Sequence, residues 1–303
     1  LATHGMIRFD EVAGTLHPTS VGRIASRYYL GHETIAIFAT RLRNGIREAD
    51  ALDCMSRATD FAQIPLRDSE EDELTGLQER VPCQVPGGTA TAPGKVNILL
   101  QAHISHLFIE DFALVSDARY VAQNAGRVLQ ALFELSLDRG FATAASAFLN
   151  LAKSVDKCVW PFEHPLRQYP TLNADVIHRI TMYADDLEVS QVRALPRAAL
   201  ASLLRVNERV AGIVQDAAER FPAIDMTVRA RPLPGDVCRL DIALRRAFTW
   251  DERLHGATLP IVVWVENAAH HVVYSARVAL RPTPPPTGAA PKYAAIQFSV
   301  YVP

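Results

Sequence analysis

The sequence is poor in the features that announce most functions. It has four cysteines in 303 residues. Cys54, Cys83, Cys158 and Cys238 are spaced too widely for a zinc cluster or for the disulfide framework of a small secreted domain, which points to a reducing compartment, nucleus or cytoplasm. No run approaches the ~18 uncharged apolar residues of a membrane-spanning helix, so no membrane partner is expected. Residues 1–10 lack the basic flank and apolar core of a signal peptide. Starting on Leu1 rather than methionine, the sequence reads as a piece excised from a larger protein. Neither sign of charge dominates: 31 Lys and Arg face 33 Asp and Glu, a formal net charge of -2. No whole-molecule field draws phosphates, and any nucleic-acid contact must be local.

What is present is an ordinary globular composition, 49% hydrophobic and 21% charged, in a chain long enough for two or three packed units. From Ser26 to about Phe221 the apolar residues recur at three- and four-residue spacing. Turn chemistry interrupts them at Pro65, Pro82, Pro86-Gly87-Gly88, Pro93-Gly94, Gly140 and Pro161, which predicts helices joined by loops. Residues 171–221 read as a subdomain of shorter helices, with Asn173 and Ser190 as N-caps and Pro196 at a helix start. Beyond Pro222 the period falls to two: Ile224, Met226 and Val228 alternate with polar residues, as do Leu240, Ile242 and Leu244, then Ile296, Phe298 and Val300. Separated by residues 232–235 (PLPG), His255-Gly256 and a proline run at 282–286, these strands predict a β-sandwich. Residues 6–16, with Gly14, predict a hairpin, and no internal repeat is present. The fold class is therefore α+β and multidomain.

Motifs for catalysis are missing. Residues 88–96 (GTATAPGKV) have five residues between their glycines and Val96 after the lysine, where a phosphate-binding loop needs four and a Ser or Thr, so a surface loop is expected. His103, His106 and Glu110 have the i, i+3, i+7 spacing of metal ligands, but two histidines and one acid are better read as polar residues at a helix end, and His270-His271 as a turn. No cofactor, metal or catalytic residue is assigned to this chain.

The segment with most content is 117–138 (DARYVAQNAGRVLQALFELSLD). At 100° per residue, Val121, Ala125, Val128, Leu129 and Leu132 gather on one face and Tyr120, Gln123, Asn124, Arg127, Gln130 and Glu134 on the other. A merely solvated face is usually rich in Lys and Glu. This one offers an aromatic ring, three amides and an arginine, side chains that suit the bases, sugars and phosphates of a single nucleic-acid strand.

Several segments together resemble one family. Residues 20–29 (SVGRIASRYY), 94–105 (GKVNILLQAHIS) and 116–135, Asp156-Lys157 with Trp160, residues 165–169 (PLRQY), and Phe248-Thr249-Trp250 with His255-Gly256 are similar to the Sec-sixty-three unit of large, dual-cassette, Ski-two-like (superfamily two) RNA helicases. The resemblance implies a non-motor module within an ATP-dependent RNA helicase. Its division would be 1–25, the end of a winged-helix domain; 26–170, a helical bundle with a ratchet helix; 171–221, a helix-loop-helix; and 222–303, an immunoglobulin- or fibronectin-like β-sandwich. It also implies that Tyr120, Gln123, Asn124, Arg127, Gln130 and Glu134 contact the strand while motor domains outside this chain bind ATP and magnesium. Implied partners are single-stranded RNA or DNA, the RecA-like and winged-helix domains of the same polypeptide, a second helicase cassette and other ribonucleoprotein subunits. Within the family, Gly87-Gly88 and residues 120–125 (YVAQNA) lie nearer the signal-cointegrator, ribosome-rescue helicases than the spliceosomal ones.

The sequence also departs from the family. Residues 200–210 (LASLLRVNERV) lack the glycines expected there, which removes the tightest backbone approach to phosphate. His106 stands where a basic or amide residue is usual, and Phe141 where tryptophan is common. Phe141, Trp160 and Trp250 are expected to pack rather than bind. A protein-docking scaffold, with the sandwich as landing surface, is the competing expectation.

Overall fold

The computed structural model describes residues 1–235, 237–282 and 296–302. The proline run therefore lies outside the described residues beyond Pro282. The chain folds as two compact units, Leu1–Phe162 with Ala268–Val272, and Glu163–Asn267 with Val273–Pro303.

The first unit opens on the expected hairpin, β1 (Ile7–Asp10) paired antiparallel with β2 (Thr15–Pro18). Asp10 Oδ1 accepts the N–H groups of Val12 and Ala13, and Gly14 closes the turn at φ 65°. Helix α1 (Ser20–Arg27) follows, so helical structure begins before Ser26 and runs across position 25. A Cβ at Gly22 would sit 2.0 Å from Met6 O, so only glycine lets α1 lie this close to the backbone before the hairpin. Then come α2 (His32–Arg41), α3 (Glu48–Ser56), α4 (Glu71–Gln78), α5 (Ala92–Ile104), α6 (Phe112–Asp138) and α7 (Ala142–Lys157).

Helix α6 has 27 residues, about 40 Å of helix. Asp111 caps it by accepting Leu114 N–H at 2.8 Å. The predicted inward face is buried: Val121, Ala125, Val128, Leu129 and Leu132 all have 0% exposure. After a turn at Gly140 (φ 76°), α7 packs on it, with Ala144, Ala145, Phe148 and Leu151 buried. Trp160 is buried and donates its indole N–H to Ser105 Oγ, as expected of a packing residue, whereas Phe141 is half-buried.

Residues 88–96 correct the expectation of a surface loop. Pro93 and Gly94 form the first turn of α5, where proline's missing N–H is not needed, and Thr91 caps the helix. Lys95 is fully buried, with Nζ 2.8 Å from Asp117, 2.5 Å from Glu70 and 2.8 Å from Pro65 O. Arg67 joins Glu70 and Asp117 from the rim. Two acids and a carbonyl satisfy the ammonium, which is what makes its burial tolerable. A Cβ at Gly94 would lie 1.9 Å from Gly88 O, so the glycine that suggested a loop serves close packing.

The second unit has α8 (Ala174–Tyr183), α9 (Val189–Ala194), α10 (Arg197–Leu204) and α11 (Glu208–Arg220) around a shared apolar core that includes Ile180, Val192, Leu200 and Val214. Asn173 caps α8 as predicted, and α10 starts directly after Pro196. Ser190 is not an N-cap: Glu188 caps α9 and forms a capping box with Gln191, the more complete solution for the orphan N–H groups. Between α10 and α11, Arg205 takes the left-handed conformation (φ 53°) that glycine would adopt without strain, and its guanidinium lies 4.5 Å from the Tyr183 ring centroid.

Strands β3 (Ile224–Leu233), β4 (Val237–Arg246), β5 (Leu259–Glu266), β6 (Val272–Leu280) and β7 (Ile296–Val302) complete the described chain, with α12 (Glu252–His255) before β5. The sheets are antiparallel β3-β4-β7 and the pair β5-β6. Ile242, Leu244, Val263, Val300 and Val302 form the core between them, a small β-sandwich. The alternation in β3 marks a strand but not its burial. Met226 and Val228 remain 60% and 47% exposed, on a strand that is an edge of its sheet among the described residues. Trp250 is half-buried against Phe248 and His255.

Candidate nucleic-acid interface

The polar side of α6 is not one continuous exposed stripe. In its N-terminal half Phe112, Ser116, Arg119 and Gln123 reach solvent. Beyond Gln123 every residue through Leu137 is at least half-buried. Of the six predicted site residues, Gln123 is exposed, Tyr120, Asn124, Arg127 and Gln130 are half-buried, and Glu134 is 8% exposed. Glu134 corrects the periodicity argument, since it accepts a hydrogen bond from Arg27 at 2.7 Å and another from the Tyr28 hydroxyl. That carboxylate fastens α1 to α6.

Tyr120, Asn124 and Arg127 are brought together around Asp60, a residue sequence reasoning did not single out. Arg127 Nη2 lies 2.6 Å from Asp60 Oδ1, and Tyr120 donates its hydroxyl to Asp60 O at 3.1 Å. Asp60 Oδ2 in turn accepts from Thr34 on α2. Arg127 Nη1 donates to the carbonyl of Tyr28 at 2.5 Å, and Nη2 donates to Asn124 Oδ1 at 3.2 Å. Asn124 Nδ2 donates back to Tyr120 O at 3.0 Å. The arginine thus holds the asparagine in place and ties two stretches of chain, at Asp60 and at Tyr28-Tyr29, to α6. Its partners are 67 and 99 residues away, with no local spacing to reveal them.

At the edge of this cluster Tyr29 is 85% exposed at φ 53°, and Arg127 also reaches its carbonyl. The exposed Tyr29 therefore borders this hydrogen-bonded patch, and Arg119 and Gln123, on the same helix, reach solvent.

The other expected candidates resolve differently. His103 ends α5 and lies 3.3 Å from Cys158 Sγ, and His106 Nε2 is 3.1 Å from Cys158 O. Burial, then the charge of His106, lowers the His103 pKa, and burial raises that of Cys158, so both groups favour their neutral forms. Glu110 is elsewhere, its N–H bonded to Glu73. No cluster of three or more metal-ligating side chains occurs among the described residues, nor any helix long and apolar enough to cross a membrane. His270 ends the turn between β5 and β6, and His271 pairs with Phe141 in an isolated antiparallel bridge.

Comparison with known proteins gives the family. Residues 18–288 match the Sec63 Brl domain, nearly the whole chain. The chain belongs to the Sec63 Brl domain family. This Sec63 chain is similar to activating signal cointegrator 1 complex subunit 3 of Dictyostelium discoideum, 34% identical over 277 residues, and of Homo sapiens, 33% over 271. It is also 31% identical over 273 residues to the human U5 small nuclear ribonucleoprotein 200 kDa helicase. Each alignment covers 89–90% of the Sec63 chain but only 12–13% of the relative. What it matches is therefore one module of a much longer protein.

Proposed function

We propose that this module is a non-motor part of an ATP-dependent RNA helicase, and that the N-terminal half of α6 guides single-stranded nucleic acid during unwinding. The observation carrying the reading is the Asp60-centred cluster. An asparagine amide held by its neighbours, with the exposed Gln123 and Tyr29 near it, lets a strand bind without first ordering that group. Asn124 and Gln123 meet bases or sugars, while Arg127 is a positioning residue, since most of its donors are engaged within the protein. A contact of this kind is typically worth ~1–3 kcal/mol, enough to hold a strand between motor strokes and weak enough to release it.

The reading carries further assignments. ATP and magnesium belong to RecA-like motor domains, and the module works beside them, a winged-helix domain, a second cassette and other ribonucleoprotein subunits in the nucleus or cytoplasm. The four-part division at 25, 170 and 221 is part of the same proposal, supported in its last boundary by the change from α11 to β3. The nearer paralogue is the signal-cointegrator, ribosome-rescue type. A protein-docking role has one observation in its favour, the exposed Met226 and Val228 on an edge strand.

The test replaces Asn124 with leucine and, separately, Gln123 with alanine in the intact helicase. Both variants should bind single-stranded RNA more weakly and unwind more slowly at unchanged melting temperature. Wild-type unwinding by both would exclude α6 as the guide.

A further inference from the structure

The outward face of the β3-β4-β7 sheet carries more arginine than its acids can neutralise. Strand pairing sets two adjacent rows across it. In one, Arg231 lies opposite Arg239 and Arg239 opposite Tyr301; in the next, Arg229 lies opposite Asp241 and Asp241 opposite Ser299. Two guanidiniums, of Arg231 and Arg239, therefore pair with one carboxylate, and a third arginine, Arg229, stands opposite it on the neighbouring strand. Asp241 accepts Arg239 at 2.8 Å, Ser299 at 2.6 Å and Arg231 at 3.4 Å. The Ser299 hydroxyl first, and Arg239 next, hold its carboxyl below the usual range, so it stays ionised and cancels one charge of the three. Arg229 makes no ion pair among the described residues.

Like charges directly opposite one another on neighbouring strands disfavour the sheet, since their Cβ atoms are only about 4.5–5.5 Å apart. The Arg231–Arg239 pair is such a juxtaposition, and an anion lying across the row would relieve it. Arg231 and Tyr301 are 61% and 62% exposed, so their polar ends are open to a ligand. Along β3 the two arginines repeat every second residue, about 7 Å apart, a step that successive phosphates of an extended strand can follow. An acidic protein segment would look for an apolar anchor at the centre of the patch, and Tyr301 is its one large ring among the described residues. A π-face beside guanidiniums is instead the arrangement that stacks a base while the phosphate is held.

We propose that this sheet face is a second binding site for single-stranded RNA, with Arg229, Arg231 and Arg239 on consecutive phosphates and Tyr301 stacked on a base. The site is independent of α6, so a strand can be held by this face whether or not α6 guides it.

The experiment measures binding of a fluorescein-labelled short oligouridylate to the whole chain by anisotropy, between about 50 and 200 mM salt. In Arg229→Gln/Arg231→Gln the slope of log affinity against log salt should fall by about 1.4, the loss of two phosphate contacts. Tyr301→Ser should weaken binding several-fold with the slope preserved, and Asn124→Leu should leave the arginine effect on the slope intact. The double variant tests charge on an exposed surface, and a wild-type urea midpoint confirms that its fold is kept. An unchanged slope overturns the proposal, as does absence of binding by the unmodified chain at low salt. Polyglutamate competing as well as RNA at equal charge would overturn it in favour of an acidic protein partner. Loss of all binding in Asn124→Leu alone would leave the α6 reading standing and remove this one.

Discussion

Arginine is used in two opposite ways in this molecule. On α6, Arg127 is spent inside the protein: a carboxylate, two carbonyls and an amide take its donors, and its side chain is 28% exposed. On the β3-β4-β7 face two arginines that lie opposite each other share one carboxylate, and a third, Arg229, makes no ion pair among the described residues. A pinned arginine gives shape and little free charge, while a surplus arginine gives charge that only an external anion can balance. A positive residue in a promising stripe is thus evidence of binding only after its internal partners are counted.

The contrast is broken most severely at the fixed charges of the first unit. Lys95→Met should destabilise by about 3–5 kcal/mol in urea unfolding, because it removes the buried cation and leaves Arg67, at the rim, to offset both Glu70 and Asp117. A smaller loss, about 1–3 kcal/mol, is expected for Arg127→Leu, which removes the partner of Asp60 Oδ1 and a donor to two carbonyls; Arg127→Lys should recover part of it. A loss under about 0.5 kcal/mol would show that Arg127 is free for a ligand after all.

The second unit has a fixed interior group of its own. His164 Nδ1 accepts Leu166 N–H and Nε2 lies 3.1 Å from Leu187 O. Burial lowers its pKa below the ordinary 6.5, despite the opposing pull of the Leu187 hydrogen bond. The folded form therefore binds a proton less readily than the unfolded one, and the stability it contributes is full above about pH 6.5 and is lost as pH falls through the folded value. His103 shifts the same way. Melting temperature should fall on acidification from about pH 7.5 to 5.5, with a shallower slope in His164→Gln. Smallest of all is the expected stability change of Arg229→Gln/Arg231→Gln, within about 0.5 kcal/mol, since these side chains hold little of the fold.

Much of the fold was legible because periodicity is local. The five inward residues of α6 lie on one face by arithmetic alone, and the Asn173 cap and Gly14 hairpin follow from chemistry within a few positions. The errors came where the deciding partner was distant. Lys95 looked like a loop residue until Glu70 and Asp117 closed around it, and Glu134 looked solvent-facing until Arg27 and Tyr28 covered it. The apolar alternation of β3 carries no information about which strand becomes a sheet edge. The candidate site was legible as a cluster of the right side chains, but their division into contacting and positioning residues depends on Asp60, which no motif marks.

The central claim is that α6 holds a single strand through Asn124 and Gln123, with Arg127 as support. Its most direct test is the affinity of the intact helicase for single-stranded RNA with Asn124→Leu. The account predicts about a tenfold loss, within the ~1–3 kcal/mol of one such contact, at unchanged melting temperature. Unaltered affinity in a correctly folded variant would contradict it.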